Sequence, residues 1–204
     1  MTLEKALKMT RKILGMALVA AFLPLQALCQ TDSSGIELRK PRAWALSAEI
    51  GMNSLSSLIG PVATFYVKPQ IGVDLGVGLS SVGLRPGLRA RYLFSLEKLA
   101  YFGGIGLKYG LGTGGEEILV EDPDTKKKIG MQIDPSTYLD LMVGLDYLAD
   151  NGFLILANAG FSALLGGKNF AFSSGTVVSE KTEKTFKTVF GSGIMLSVSL
   201  GKAF

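Results

Sequence analysis

Seven charged residues sit inside stretches of alternating polarity, and they are the ones whose chemistry the chain can use: Glu49, Asp74, Arg89, Arg91, Lys108, Asp140 and Asp146. Carboxylates and bases sharing one face of successive strands allow three arrangements. Two carboxylates in an open cleft, such as Glu49 and Asp140, can do acid–base work. Charges spaced around water make a polar passage. Closely matched charges make a plug, because a buried charge must be paired. The chain has no histidine and a single cysteine, Cys29. Without imidazole, the Ser-His and Asp-His designs that move protons near neutral pH cannot be built. Zinc and copper sites of His and Cys are excluded in the same way. No catalytic, cofactor-binding or metal-binding set emerges, and the chain reads as a non-enzyme that needs no cofactor.

The elements that position these charges repeat every two residues, so each presents one apolar and one small or polar face, as a β-strand does. Trp44, Leu46, Ala48, Ile50 and Met52 share a face within Ala43–Met52. Equivalent rows follow in Val62–Lys68, Ile71–Leu79, Gly87–Phe94, Leu99–Leu111, Tyr138–Tyr147 and Phe153–Leu165. The last row is Ile194, Leu196, Val198 and Leu200, then Lys202 and the aromatic Phe204. Pro61 suits the first position of the second strand, and Ser80–Pro86 reads as a loop. The count is eight strands, predicting an all-β, eight-stranded antiparallel up-and-down transmembrane barrel over residues 43–204. Across its strands, Asp74 is expected to face Arg91, and Lys108 to face Asp140.

Loop lengths carry a parity. The connections 68–70, 95–98 and 149–152 are short, the last containing the hairpin dipeptide Asn151–Gly152. The intervening connections include two long ones, 112–135 and 166–184. Short periplasmic turns alternating with longer outer loops characterise transmembrane barrels. Trp44, Phe94, Tyr101, Tyr147, Phe153 and Phe204 fall on the apolar face at the short-turn ends, where an interfacial aromatic girdle belongs.

A soluble lipocalin-like carrier barrel is the architectural rival, and it needs the apolar faces turned inward. The opposite face here is rich in Gly and Ser with isolated charges, which suits the cramped inside of an eight-stranded barrel. That same lack of room favours the plug over the passage, although a small pore or a transport or secretion accessory stays open.

Lys5, Lys8, Arg11 and Lys12 precede the apolar run Ile13–Leu25, and the small-residue region 26–30 follows. Residues 1–29 therefore read as a secretory signal peptide. Cys29 fits either an ordinary cleavage site or, less well, a lipidated amino-terminus. Removing residues 1–29 lowers the formal net charge from +4 to about +1. No basic patch for nucleic acid survives. Residues 30–42 are polar and aperiodic and read as a flexible periplasmic lead-in.

In the 112–135 loop, two alternating arms flank Asp122, Pro123, Asp124 and Thr125, predicting a hairpin standing above the membrane. Its acids, Glu116, Glu117, Glu121, Asp122 and Asp124, read as a solvated tip rather than a cation site. Phe170 and Phe172 in the 166–184 loop are expected to continue the seventh and eighth strands outward. Protruding edges of this kind make both loops candidate contacts for an extracellular partner.

In its signal, strand count, loop parity and final Phe204, the chain resembles the small OmpX-like and OmpA-like outer-membrane β-barrels. Lys202 departs from the apolar residue usual in their last strand. The resemblance implies a porin-like protein of the outer membrane in a Gram-negative-type cell envelope, surrounded by lipid. It also implies recognition by the barrel-assembly machinery through the C-terminal strand, and a structural or surface-interaction role.

Overall fold

The structure is a computed structural model, which describes residues 38–80, 83–122, 126, 128–166, 169–173 and 178–204. The signal segment, Cys29, Pro123, Asp124 and Thr125 lie outside the described residues.

Eight long strands close into a barrel. In chain order they are β1 (Trp44–Ser54), β2 (Ser57–Lys68), β3 (Ile71–Ser80), β4 (Gly83–Leu93) and β5 (Leu99–Gly110). After two short strands, β6 (Ile118–Glu121) and β7 (Lys128–Ile133), come β8 (Ser136–Leu148) and β9 (Phe153–Leu165). Another short strand, β10 (Phe170–Phe172), and helix α1 (Glu180–Phe190) precede β11 (Gly193–Ala203). Each barrel strand pairs antiparallel with its neighbours, and β11 closes the barrel on β1 with Ala45 opposite Ala203 and Met52 opposite Leu196. At 10 to 13 residues, the barrel strands match the length of about 9–11 residues that a tilted strand needs to cross a bilayer.

The pleat sends the two faces to opposite sides. Ile194, Leu196, Val198 and Leu200 point outward and are about half exposed, whereas Met195, Ser197, Ser199 and Ala203 point inward and are buried. Leu46, Ile50, Leu75, Leu88, Ile105, Leu141 and Val143 continue the outward belt around the other strands. This distribution is the reverse of the one a soluble lipocalin-like barrel requires.

Several boundaries differ from the sequence reading. The connection after β1 is only Leu55 and Ser56, and the one after β3 is only residues 81–82. Both proline-containing stretches are strand: Pro61 lies opposite Ala48, and Pro86 opposite Val77. The predicted loop from Ser80 to Pro86 is therefore a tight hairpin. Leu55 folds into the lumen and is buried beside Gly76 and Gly87. A Cβ added to Gly87 would stand 2.6 Å from Leu55 Cδ1, so the β1–β2 turn packs Leu55 into space that Gly87 leaves open.

The lead-in is not free at its barrel end. Leu38 bridges Glu97, and the Arg39 amide donates to the Leu96 carbonyl at 2.9 Å. Residues 38–42 thus cross the barrel mouth at the end bearing the short turns.

At the opposite end the two long loops fold together. Strands β6 and β7 form the expected hairpin, with Glu121 opposite Lys128. Phe170 and Phe172, however, do not extend the barrel strands. Strand β10 lies against β7, with Phe170 opposite Ile133 and Phe172 opposite Met131, making a separate sheet in the order β10-β7-β6. Helix α1 covers it. Ser179 caps the helix by accepting from the Thr182 amide, Glu180 and Glu183 occupy the first turn, and Gly191 follows the last. Phe186 and Phe190, four residues apart on one helix face, stack at 5.8 Å and join Met131, Ile133, Phe170 and Phe172 in a small apolar core.

Candidate functional site

All seven charged residues singled out in the sequence point into the barrel and are buried. Six charges, Arg39 included, form one chain of alternating sign along the lumen. Glu49 meets Arg89 at 3.0 Å, and Arg89 meets Asp74 at 2.5 Å. Asp74 meets Arg91 at 2.7 Å, and Arg91 meets Asp146 at 2.8 Å. The chain ends at Arg39, which enters from the lead-in and meets Asp146 at 3.1 Å. Register explains the geometry. Asp74 lies directly opposite Arg89, not Arg91 as expected, and Arg91 reaches it diagonally with a second hydrogen bond at 3.0 Å. Thr64 donates to the same carboxylate at 2.7 Å from the other neighbouring strand. Asp74 therefore accepts from three side chains, which meets the condition for a charge removed from water.

Glu49 is held from above by the inward-folded turn. The Ser56 amide donates to it at 3.0 Å, and Ser199 on β11 donates at 3.2 Å. Lys108 lies directly opposite Tyr138, not Asp140 as expected, and reaches Asp140 diagonally at 3.0 Å; it also donates to the Asn53 carbonyl. The carboxylates Glu49 and Asp140 are thus engaged by bases and show no open cleft between them.

Two lumen residues escaped the sequence reading. Arg39 belongs to a stretch without periodicity, and its principal partner lies 107 residues away. Arg85 points inward near the loop end, 4 % exposed, with its guanidinium 4.6 Å from the centre of the Tyr138 ring. Strict alternation with Arg89 and Arg91 was the available signal for it, masked by the assignment of Pro86 to a loop. Below the charges, Leu93, Ala100, Phe102, Leu148, Leu154 and Ala203 fill the short-turn end of the lumen.

Tyr138 ties the lumen to the cap. Its hydroxyl donates to the Phe190 carbonyl at the end of α1 at 2.8 Å, and Asn169 donates to both groups. The helix start is anchored separately, with Thr182 donating to buried Asp122 at 2.5 Å. Glu121 makes an exposed pair with Lys126 at 3.5 Å. Among the described residues, no group of three or more metal-ligating side chains converges.

The six expected girdle residues, Trp44, Phe94, Tyr101, Tyr147, Phe153 and Phe204, all face outward. Trp44 stacks on Phe204 at 4.4 Å. Phe65, opposite Trp44, and Tyr92, edge-on to Phe94 at 5.8 Å, extend the set. Lys202 reaches over the Phe204 ring at 5.8 Å, keeping its aliphatic stem against the wall. At the same end, exposed Asp150 accepts from Lys98 at 2.7 Å, and that hydrogen bond lowers its carboxyl below the usual range.

No family model and no curated protein sequence matches the chain. Among solved structures, the fold is similar to the crystal structure of the N-terminal β-barrel domain of Pseudomonas aeruginosa OprF, at a TM-score of 0.46 and 17 % identity, covering 81 % of this chain and 100 % of that chain.

Proposed function

We propose that this chain is a small, non-enzymatic outer-membrane β-barrel protein whose role is structural or adhesive, exercised through the cap at the loop end. The observation that supports this reading is the inverted wall: large apolar residues face outward on every barrel strand while ion pairs fill the lumen. In water that outer belt would be a contiguous apolar patch far beyond the few hundred Å² a soluble monomer tolerates. In a bilayer it is the required surface. The aromatic residues at the short-turn end then mark the periplasmic interface, and β6, β7, β10 and α1 stand outside the cell.

The matched lumen argues against conduction and against carboxylate catalysis, since the four acids are already engaged by bases. The cap is the part that can meet a partner, because β6 and β10 are the edge strands of its sheet. Deleting Gly115 to Lys128 removes β6 and the hairpin tip. The expected result is a protein that keeps heat-modifiable mobility and protease protection in vesicles, stays silent in planar bilayers, and loses surface adhesion. Ohmic conductance from the intact protein would replace this reading with the pore.

A further inference from the structure

At the short-turn end, residues 38–42 and the barrel rim enclose a hollow of about 90 Å³ lined by Arg39, Lys40, Pro41, Arg42, Tyr66 and Leu148, among others. Three of its lining side chains bury polar atoms that make no hydrogen bond: Arg39 Nη1, which has an ion pair with Asp146 at 3.1 Å, and the Tyr66 hydroxyl and Arg42 Nε. Arg42 is positioned by its Nη2, which donates to the Asp150 carbonyl at 2.7 Å and leaves Nε beside the hollow. Buried donors left empty carry a desolvation cost that a ligand with matching acceptors would remove.

The local charge indicates the ligand's sign. Arg39 is neutralised by Asp146, which Arg91 also engages. With Arg39 neutralised, the charged side chains left lining the hollow are Lys40 and Arg42, both basic, while Lys98 and Asp150 pair with each other at 2.7 Å. The volume limits the ligand's size, since about 30 Å³ per water makes the hollow equal to roughly three waters. A tetrahedral oxyanion is a ligand of that order of size. We infer that the hollow is a binding site for a phosphate group, held by the Tyr66 hydroxyl, the Arg42 guanidinium and the Lys40 ammonium.

Such a group has two sources at this depth, free phosphate in the aqueous compartment and the phosphomonoester head of an anionic lipid beside the aromatic girdle. The test uses the full folded protein in zwitterionic nanodiscs. Calorimetry with inorganic phosphate examines the first source. Phosphorus NMR of discs containing phosphatidic acid counts immobilised headgroups per barrel and examines the second. Saturable uptake of one phosphate per barrel from either source supports the site, and the arm in which it occurs identifies the source. Tyr66→Phe and Arg42→Gln should each weaken that uptake at least about tenfold, the loss expected for one hydrogen bond to a charged group. No saturable uptake from either source, or uptake unchanged in both variants, overturns the inference. The lipid source rests on the membrane reading, which heat-modifiable mobility of the same samples tests independently, so the two failures are distinguishable.

Discussion

The barrel and its cap solve the same burial problem with opposite materials. In the cap, Met131, Ile133, Phe170 and Phe190 are packed inside while Lys128, Glu180 and Lys187 face out, the arrangement of any small domain in water. In the barrel wall, Leu75, Ile105 and Val198 face out, and Asp74, Arg89 and Arg91 are sealed within. On the membrane reading proposed above, what differs is the surrounding solvent. Lipid gives no reward for hiding Leu or Val, so the wall spends its apolar residues on the outside and holds its centre together with directional, charge-assisted hydrogen bonds. The barrel core is consequently specific, because each charge has a named partner. The cap core is adaptable, because an aromatic cluster tolerates repacking.

Three substitutions can break or sharpen this contrast. The largest effect is expected from Asp74→Ala, which strands the guanidiniums of Arg89 and Arg91 in the lumen. Removing one partner of a buried pair costs about 3–5 kcal/mol, measurable as a lower urea midpoint for unfolding from vesicles. Replacing the outward Val198 by Arg comes next. If lipid is the solvent, a cation at mid-wall costs about 2–4 kcal/mol, whereas a barrel wall facing water would show almost no change. Phe170→Ala should affect the barrel least. Truncating a core Phe costs about 3–5 kcal/mol in a single cooperative unit, but here the loss should remain in the cap. Hydrogen exchange would show β6, β7, β10 and α1 losing protection while the barrel midpoint stays within about 0.5 kcal/mol. A matching drop in the barrel midpoint would mean that wall and cap unfold as one.

The wall was legible in the sequence because a period of two needs no knowledge of partners. Leu88, Ala90 and Tyr92 declare an outward row, and Arg89 and Arg91 an inward one, from spacing alone. The lumen pairs were half legible: the face was evident, but whether Asp74 sits opposite Arg89 or Arg91 depends on a register set by the two-residue β3–β4 turn. Pro61 and Pro86 misled because a missing N–H usually marks a strand boundary. Helix α1 went unread because it is rich in Lys and Thr, and its two aromatics acquire meaning only once β10 supplies their counterpart. Its signals were the Ser179 cap, the acidic first turn and the four-residue spacing of Phe186 and Phe190. Arg39 lay in a stretch with no pattern, and only the closed barrel gives it a destination.

That destination has a consequence for assembly order. Arg39 is seated by the Leu96 and Glu97 carbonyls and by Asp146, groups that come together only when β4, β5 and β8 are already side by side. The segment that leaves the ribosome before any barrel strand is therefore among the last to find its place. Its docking works as a latch on the finished object, and susceptibility of residues 38–42 to a protease would distinguish completed barrels from those still waiting for their later strands.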